Sequence, residues 1–120
     1  MRTRQPLPVN LVVHTGSGTT GALLIVEGEI DVASADLLRG ALTRCLLDGS
    51  SVIDVDLAGV TFCDSSGLHV FLDISKAAAR AGGTLRLHRP SPMVARLFAL
   101  TGTGALLLAL PAHAAPTSGP

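Results

Sequence analysis

Residues 60–68 join two local patterns that predict different secondary structures. An apolar, β-branched run ends in this stretch, and an amphipathic helical pattern begins from it. Because the run is typical of a strand and the pattern of a helix, the chain must turn here from strand to helix. The turn carries two adjacent hydroxyls, Ser65 and Ser66, and the carboxylate of Asp64. A junction of this kind favours an α/β fold.

The remaining patterns extend this alternation over most of the chain. They predict strands at 10–14, 22–28, 51–57, 84–88 and 105–109, and helices at 33–48, 65–81 and 92–100. The order β-β-α-β-α-β-α-β predicts a hairpin followed by right-handed crossovers, and therefore a mostly parallel sheet. The strand at 51–57 alternates apolar residues with Asp54 and Asp56, whereas a strand covered on both faces is apolar throughout. We therefore expect the helices to lie mainly on one face of the sheet.

Length and composition narrow the class of protein. A chain of 120 residues predicts one domain, here 9–110, between a flexible arm at 1–8 and a disordered tail at 111–120. Zero formal net charge, 15% charged residues and the absence of Trp and Tyr argue against a nucleic-acid-binding surface. The apolar run at 106–110 is too short to cross a bilayer, and the start of the chain lacks a signal-peptide pattern. We expect a soluble, cytoplasmic protein without membrane contact.

Two other patterns are typical of sites but have simpler structural explanations. Residues 16–21 fit the glycine spacing of a dinucleotide-binding loop, yet a strand follows them where that loop requires a helix. A flexible hairpin loop is the better interpretation. Asp54 and Asp56 share one face of a strand and suggest a cation site, but a solvated face explains them without a third ligand.

The remaining reactive side chains do not form an enzyme site in the sequence. The four histidines are scattered without metal-ligand spacing, and none is placed as a base beside Ser65. Cys45 and Cys63 are expected to be small buried hydrophobes. We therefore predict a protein that is not an enzyme and that uses neither a cofactor nor a metal. His69 follows the turn, off the apolar stripe of its helix, and is either ordinary surface or part of a partner contact.

The turn itself has two physical interpretations. Asp64 or Ser65 is expected to cap the helix, and a cap alone contributes roughly 1 kcal/mol. Alternatively, a serine at a helix N-terminus accepts a phosphate, which the free amides and the helix dipole would solvate. The carboxylate of Asp64 would oppose that phosphate, as would that of Asp31 if the fold brings the two loops together. The added charge should therefore alter a binding surface more than the fold. Spacing alone favours the capping role.

Three segments, in order, give the chain a specific resemblance. They are Gly28-Glu29-Ile30-Asp31, residues 60–68 with their Asp64-Ser65-Ser66-Gly67 turn, and residues 91–102. Together they make the chain, over about 9–110, resemble the anti-sigma factor antagonists, which are small bacterial proteins with the STAS fold. The Gly-Glu-Ile-Asp segment is similar to the family's signature after its second strand. Residues 60–68 resemble its phosphorylation loop, and residues 91–102 are similar to its third helix.

The resemblance implies a partner-switching mechanism. An unmodified antagonist of this kind binds an anti-sigma factor that is also a serine kinase, and so frees the sigma factor. Phosphorylation of the antagonist breaks the complex, and a metal-dependent serine phosphatase resets it. The acceptor falls on Ser65, with Ser66 as a secondary candidate. The residues expected at the partner surface are Gly28, Glu29, Asp31, Asp64, Ser66, Gly67, Leu68 and His69, with Gly67 letting a partner backbone approach.

The chain also departs from the family pattern. Cys63 stands where the family often has Met, and His69 stands where several relatives have a small residue, so partner preference can differ. The family's final helix is not evident after Leu110. A structural STAS scaffold that uses the same surface without being phosphorylated is the alternative function.

Overall fold

The computed structural model describes residues 9–17 and 21–108, and eight helices and strands lie within them. The strands are β1 (Leu11–Ser17), β2 (Ala22–Ile30), β3 (Val52–Cys63) and β4 (Thr84–His88). The helices are α1 (Ala35–Leu47), α2 (Ser65–Arg80), α3 (Pro92–Thr101) and α4 (Gly104–Leu107). The predicted arm at 1–8, the tail at 111–120 and the centre of the hairpin loop lie outside the described residues.

The four described strands form one sheet in the order β1-β2-β3-β4. β1 pairs antiparallel with β2, whereas β2, β3 and β4 run parallel. This confirms the predicted hairpin and the mostly parallel sheet. β3 is longer than predicted, because Val60, Phe62 and Cys63 still pair with the last three residues of β2, with a register shift between Gly28 and Glu29. The turn therefore begins only at Asp64.

The core lies between the sheet and the helices on a single face. Alternate residues of the strands are buried and join one hydrophobic cluster with buried residues of α1, α2 and α3. Within it, the rings of Phe71 and Phe98 meet edge to face with centroids 6.4 Å apart. The opposite strand face carries exposed Ile25 and Glu27, and no described helix covers it. The predicted one-sided arrangement is confirmed.

The helix ends follow local sequence signals. Ser91 caps α3 by accepting a hydrogen bond from the Val94 amide, and Pro92 occupies the first turn, where its missing N–H costs nothing. In α2 the buried residues include Ile74, whereas Ala79 is exposed. The helix packs against α1 and β4 as well as against β3.

The predicted last strand at 105–109 is wrong over most of its length. The chain forms the short helix α4 there, and only Leu108 makes an isolated parallel bridge, to Leu87 of β4. The run consists of Ala and Leu, which favour helix, and it contains no β-branched residue. In so short an apolar run, periodicity alone cannot separate helix from strand.

Candidate functional site

Ser65 is the first residue of α2 and is exposed. It lies where β3 ends, at the edge of the sheet to which the carboxyl ends of β2, β3 and β4 all point. In open parallel sheets this edge is the usual place for a binding site. We call the surface formed by residues 29–32, 62–66 and 93 the carboxyl edge.

Asp64 holds the start of α2 in place. As the N-cap residue it accepts a hydrogen bond from the Ser66 amide to its side-chain Oδ1 at 2.8 Å. Its own amide donates to the carbonyl oxygen of Ile30 at 3.1 Å, which joins the turn to the end of β2. Of the two predicted caps, Asp64 is therefore the one that forms, and Ser65 keeps its hydroxyl at the surface.

Asp31 organises the neighbouring loop between β2 and α1. Its Oδ1 accepts from the amides of Ala33 and Ser34 at 3.0 and 3.1 Å. The Ser34 hydroxyl, fully buried, donates to the carbonyl oxygen of Glu29 at 2.8 Å and accepts from the Asp31 amide at 2.9 Å. Both acidic residues predicted beside Ser65 thus shape their own loops, and this closed ring fixes the Gly-Glu-Ile-Asp segment.

Two glycines predicted at the partner surface are required by packing within the protein itself. Gly28 has φ +113°, and a side chain there would collide with the Asn10 carbonyl oxygen, next to β1. Gly67 is buried, and an added Cβ would lie 2.5 Å from Ile30 Cγ2 and 2.7 Å from Cys63 Sγ. The close approach at Gly67 is therefore made by the protein's own sheet, which corrects the expectation that a partner backbone approaches there.

The structure separates the other predicted partner residues by exposure. Glu29, Asp31, Asp64 and Ser66 are partly exposed, and His69 is exposed on α2. Leu68 is only 5% exposed and belongs to the core, so it offers no side-chain surface. Among the residues that the structure describes, none of the basic side chains forms an ion pair with Glu29, Asp31 or Asp64. The carboxyl edge is therefore acidic without internal compensation.

Three exposed apolar residues at this edge were not predicted. Val32 follows β2 and is 72% exposed, Phe62 lies near the end of β3 and is 40% exposed, and Met93 opens α3 and is 60% exposed. Each follows or closes a different parallel strand. Exposed large apolar side chains are a recognised mark of protein interfaces when they form one patch. The only sequence signal was their position next to the turn motifs.

Cys63 lies beneath the first turn of α2. Burial, with a smaller contribution from the Asp64 carboxylate, raises the pKa of its thiol to about 12. Burial likewise raises the pKa of Cys45. Both cysteines are free, which agrees with their predicted role as buried hydrophobes.

A second group of charges lies on the helix-free face of the sheet. Asp54 accepts from Arg86 Nε and Nη2 at 2.8 and 3.0 Å, and its Oδ1 lies 2.7 Å from His88 Nε2. These hydrogen bonds, above all those from Arg86, lower the pKa of Asp54 to about 2 against the opposing effect of burial. Arg89 holds Asp56 in the same way and lowers its pKa. The expected solvated face is thus an ion-paired one, with each aspartate side chain only 16% exposed.

Neither a metal cluster nor a membrane-spanning helix is found in the described part of the chain. In residues 9–17 and 21–108, His, Cys, Asp and Glu do not group in threes that could hold an ion. The helices there are too short or too polar to cross a bilayer.

Comparison with known proteins places this geometry in a family. The STAS domain model matches residues 11–115, which is most of the chain. The chain belongs to the STAS domain family. A relative of this STAS chain, the anti-sigma-B factor antagonist of Bacillus subtilis strain 168, is 39% identical over 94 residues. That alignment covers 78% of this chain and 85% of the relative, so the resemblance seen in the three motifs is confirmed.

Solved structures agree with the STAS fold. An anti-sigma factor antagonist from Mycobacterium paratuberculosis superposes with a TM-score of 0.76 at 22% identity, covering 86% of this chain and 88% of its own. SpoIIAA in its unphosphorylated form gives 0.71 at 23% identity, with coverages of 86% and 92%. Bacillus SpoIIAA in its phosphorylated form gives 0.65 at 22% identity, with coverages of 86% and 96%. These likenesses establish the fold.

Proposed function

We propose that this STAS protein is an anti-sigma factor antagonist controlled by phosphorylation of Ser65. Unmodified, it binds a kinase anti-sigma factor and so releases the sigma factor. Phosphorylated, it dissociates. The single observation that carries the proposal is the exposed Ser65 at the start of α2, between two loops that are locked by their own hydrogen bonds. The names of the relatives support the same function.

The proposed partner surface is the carboxyl edge together with His69. Val32, Phe62 and Met93 provide apolar contact area, and the partly exposed Glu29, Asp31, Asp64 and Ser66 surround it with negative charge and a hydroxyl. An acidic surface without internal compensation suits a partner that presents basic groups. Ser65 lies within this surface, so a partner that covers the edge also covers the acceptor.

Charge explains how phosphorylation would release the partner. A phosphoserine adds about 1.5–2 negative charges at neutral pH. The helix N-terminus stabilises that anion locally. A partner surface shaped against the unmodified edge would then have to desolvate the new charge, which costs affinity. The fold is held elsewhere, by the core beneath α2, and is retained.

The chemistry of the cycle belongs to the partners. The kinase anti-sigma factor supplies ATP and transfers the phosphoryl group, and a metal-dependent serine phosphatase removes it. The antagonist itself is not an enzyme and acts in the cytoplasm. A catalytic serine would need an oriented base beside it, and the sequence does not place one next to Ser65.

Phosphoryl transfer from a candidate kinase anti-sigma factor and ATP tests the proposal. We expect wild type to gain one phosphate and Ser65→Ala to gain almost none. Ser51→Ala, which alters an exposed serine just before β3, should match wild type. Ser66→Ala shows whether any of the phosphate is transferred to Ser66, the secondary acceptor candidate. If Ser65→Ala is phosphorylated at the wild-type rate, the acceptor is assigned wrongly.

Binding to the same kinase provides another measurement. Ser65→Asp places a permanent charge at the edge and should weaken binding by about tenfold or more. Unchanged affinity would contradict the charge mechanism. Tight binding without any phosphorylation of wild type would favour the STAS scaffold function instead.

A further inference from the structure

His69 lies one helical turn beyond Ser65 on the same face of α2. Both residues are exposed, and α2 is continuous from Ser65 to Arg80. A spacing of four residues corresponds to about 6 Å along the helix axis. Because side chains on a helix lean toward its N-terminus, the imidazole at position 69 is within reach of a phosphate on Ser65. Within the first two turns of α2, His69 is the only basic residue.

The surrounding charges leave His69 available for a new anion. Asp73, one turn further along, is engaged by Arg39 of α1 at 3.1 Å. Asp73 lies about 12 Å from Ser65 along the helix axis, which is twice the distance from Ser65 to His69. Arg39 is therefore held farther from Ser65 than His69 is. In the described part of the chain, His69 has neither a hydrogen bond nor an ion pair.

Two carboxylates next to Ser65 make the local charge negative. Asp64 caps the Ser66 amide, and Asp31 directly follows Ile30, whose carbonyl oxygen accepts from the Asp64 amide. Together they oppose a phosphate on Ser65. A cation at i+4 therefore acts where compensation is needed most.

We propose that His69 receives the phosphate when Ser65 is phosphorylated, and so fixes the modified group over the first turn of α2. The inference rests on the proposed function only in taking Ser65 as the modified residue. His69 acts as a positioning residue for the phosphate. A protonated imidazole pairs with the phosphate, and pairing favours the dianionic phosphate over its monoanion. In the unmodified protein the same side chain remains free for the partner.

The test uses phosphoserine incorporated at position 65 during translation, so that a kinase is not required. The phosphate, which ordinarily titrates at about pH 6, is followed by phosphorus NMR in wild type, His69→Gln and His69→Lys. His14→Gln, which alters an exposed histidine on β1, is the matched control. We expect the phosphate of wild type to titrate roughly 0.2–0.4 pH unit lower than that of His69→Gln. The control should match wild type, and about 1 M salt should remove most of the difference.

The lysine variant separates charge from shape. Because Lys keeps a cation at the same helical position, the phosphate of His69→Lys should titrate at or below the wild-type midpoint. Identical midpoints in wild type and His69→Gln would overturn the proposal, as would a His69→Lys midpoint equal to that of His69→Gln. Neither result affects the kinase assay on Ser65→Ala, so the failure of one proposal does not imply the failure of the other.

Discussion

Asp31 and Asp64 follow the ends of β2 and β3, whereas Asp54 and Asp56 lie within β3 on the face that no described helix covers. The first pair accepts hydrogen bonds from backbone amides two or three residues away. The other pair accepts from arginine side chains that come 32 or 33 residues later in the chain, and Asp56 accepts from the Ala58 amide as well. The same residue type therefore shapes a local turn in one region and joins two strands in the other.

This difference has an electrostatic consequence. On the helix-free face, Arg86 and Arg89 neutralise the carboxylates within the fold. At the carboxyl edge, capping satisfies hydrogen bonds but leaves the negative charge uncompensated by described ion pairs. Carboxylates that are already paired within the fold attract a charged partner weakly, whereas those at the carboxyl edge keep their charge for recognition. The comparison thus separates the face that stabilises the sheet from the edge that is suited to binding.

The largest expected effect comes from breaking the packing under the carboxyl edge. Gly67→Ala places a Cβ against the buried side chains of Ile30 and Cys63 and should lower the free energy of unfolding by about 1–3 kcal/mol. Gly40→Ala in α1 is the matched control, because nothing lies within 4 Å of its added Cβ. It should gain about 0.5–1 kcal/mol. Urea unfolding that ranks the two variants equally would contradict the packing argument.

Acid should destabilise the helix-free face of the sheet, mainly by protonating Asp54. Its pKa is about 2 in the folded protein and 3.8 ordinarily. As pH falls, the unfolded chain therefore binds this proton before the folded one. The stabilisation is fully present above about pH 5 and is lost progressively toward pH 2. Allowing for the solvent-exposed Arg86, we expect a loss of about 1–2 kcal/mol from this group.

Asp54→Asn provides the measurement. The variant should lose less stability than wild type between about pH 5 and pH 2.5 in urea unfolding, since it has no carboxylate to protonate there. Asp73→Asn, which alters a more exposed ion pair on the helices, is the control and should follow wild type. Parallel pH profiles for wild type and Asp54→Asn would show that the Asp54 pairs do not stabilise the sheet.

Local patterns predicted most of the fold because the signals lie close together in sequence. Ser91 followed by Pro92 predicts the start of α3, and the alternation around Asp54 and Asp56 predicts the open face. The long-range pairings were not predictable. Nothing near Asp54 in the sequence indicates that Arg86 will lie opposite it, because strand register depends on the whole sheet. The helical outcome at 104–107 was missed for the related reason that short apolar runs are ambiguous.

The candidate site shows the same division. Ser65 and Asp64 were predicted from a local turn, and their placement agrees with the structure. The burial of Gly67 and the exposure of Phe62 depend on how α2 packs on the sheet, which adjacent residues do not encode. Motif matching also assigned Gly67 to a partner, whereas the structure gives it a packing role.

The smallest expected effect distinguishes the two carboxylate roles most directly. Asp64→Ala should cost about 1 kcal/mol and speed hydrogen exchange at the Ser66 amide, because that amide loses its acceptor. Asp64→Asn should recover most of this loss, since Asn and Asp cap helices almost equally well. On the helix-free face Asn cannot replace the charge that Arg86 pairs with, so Asp54→Asn should remain destabilised at neutral pH. If asparagine rescues both positions equally, or neither, then capping and ion pairing are not the separate roles that the structure assigns to these aspartates.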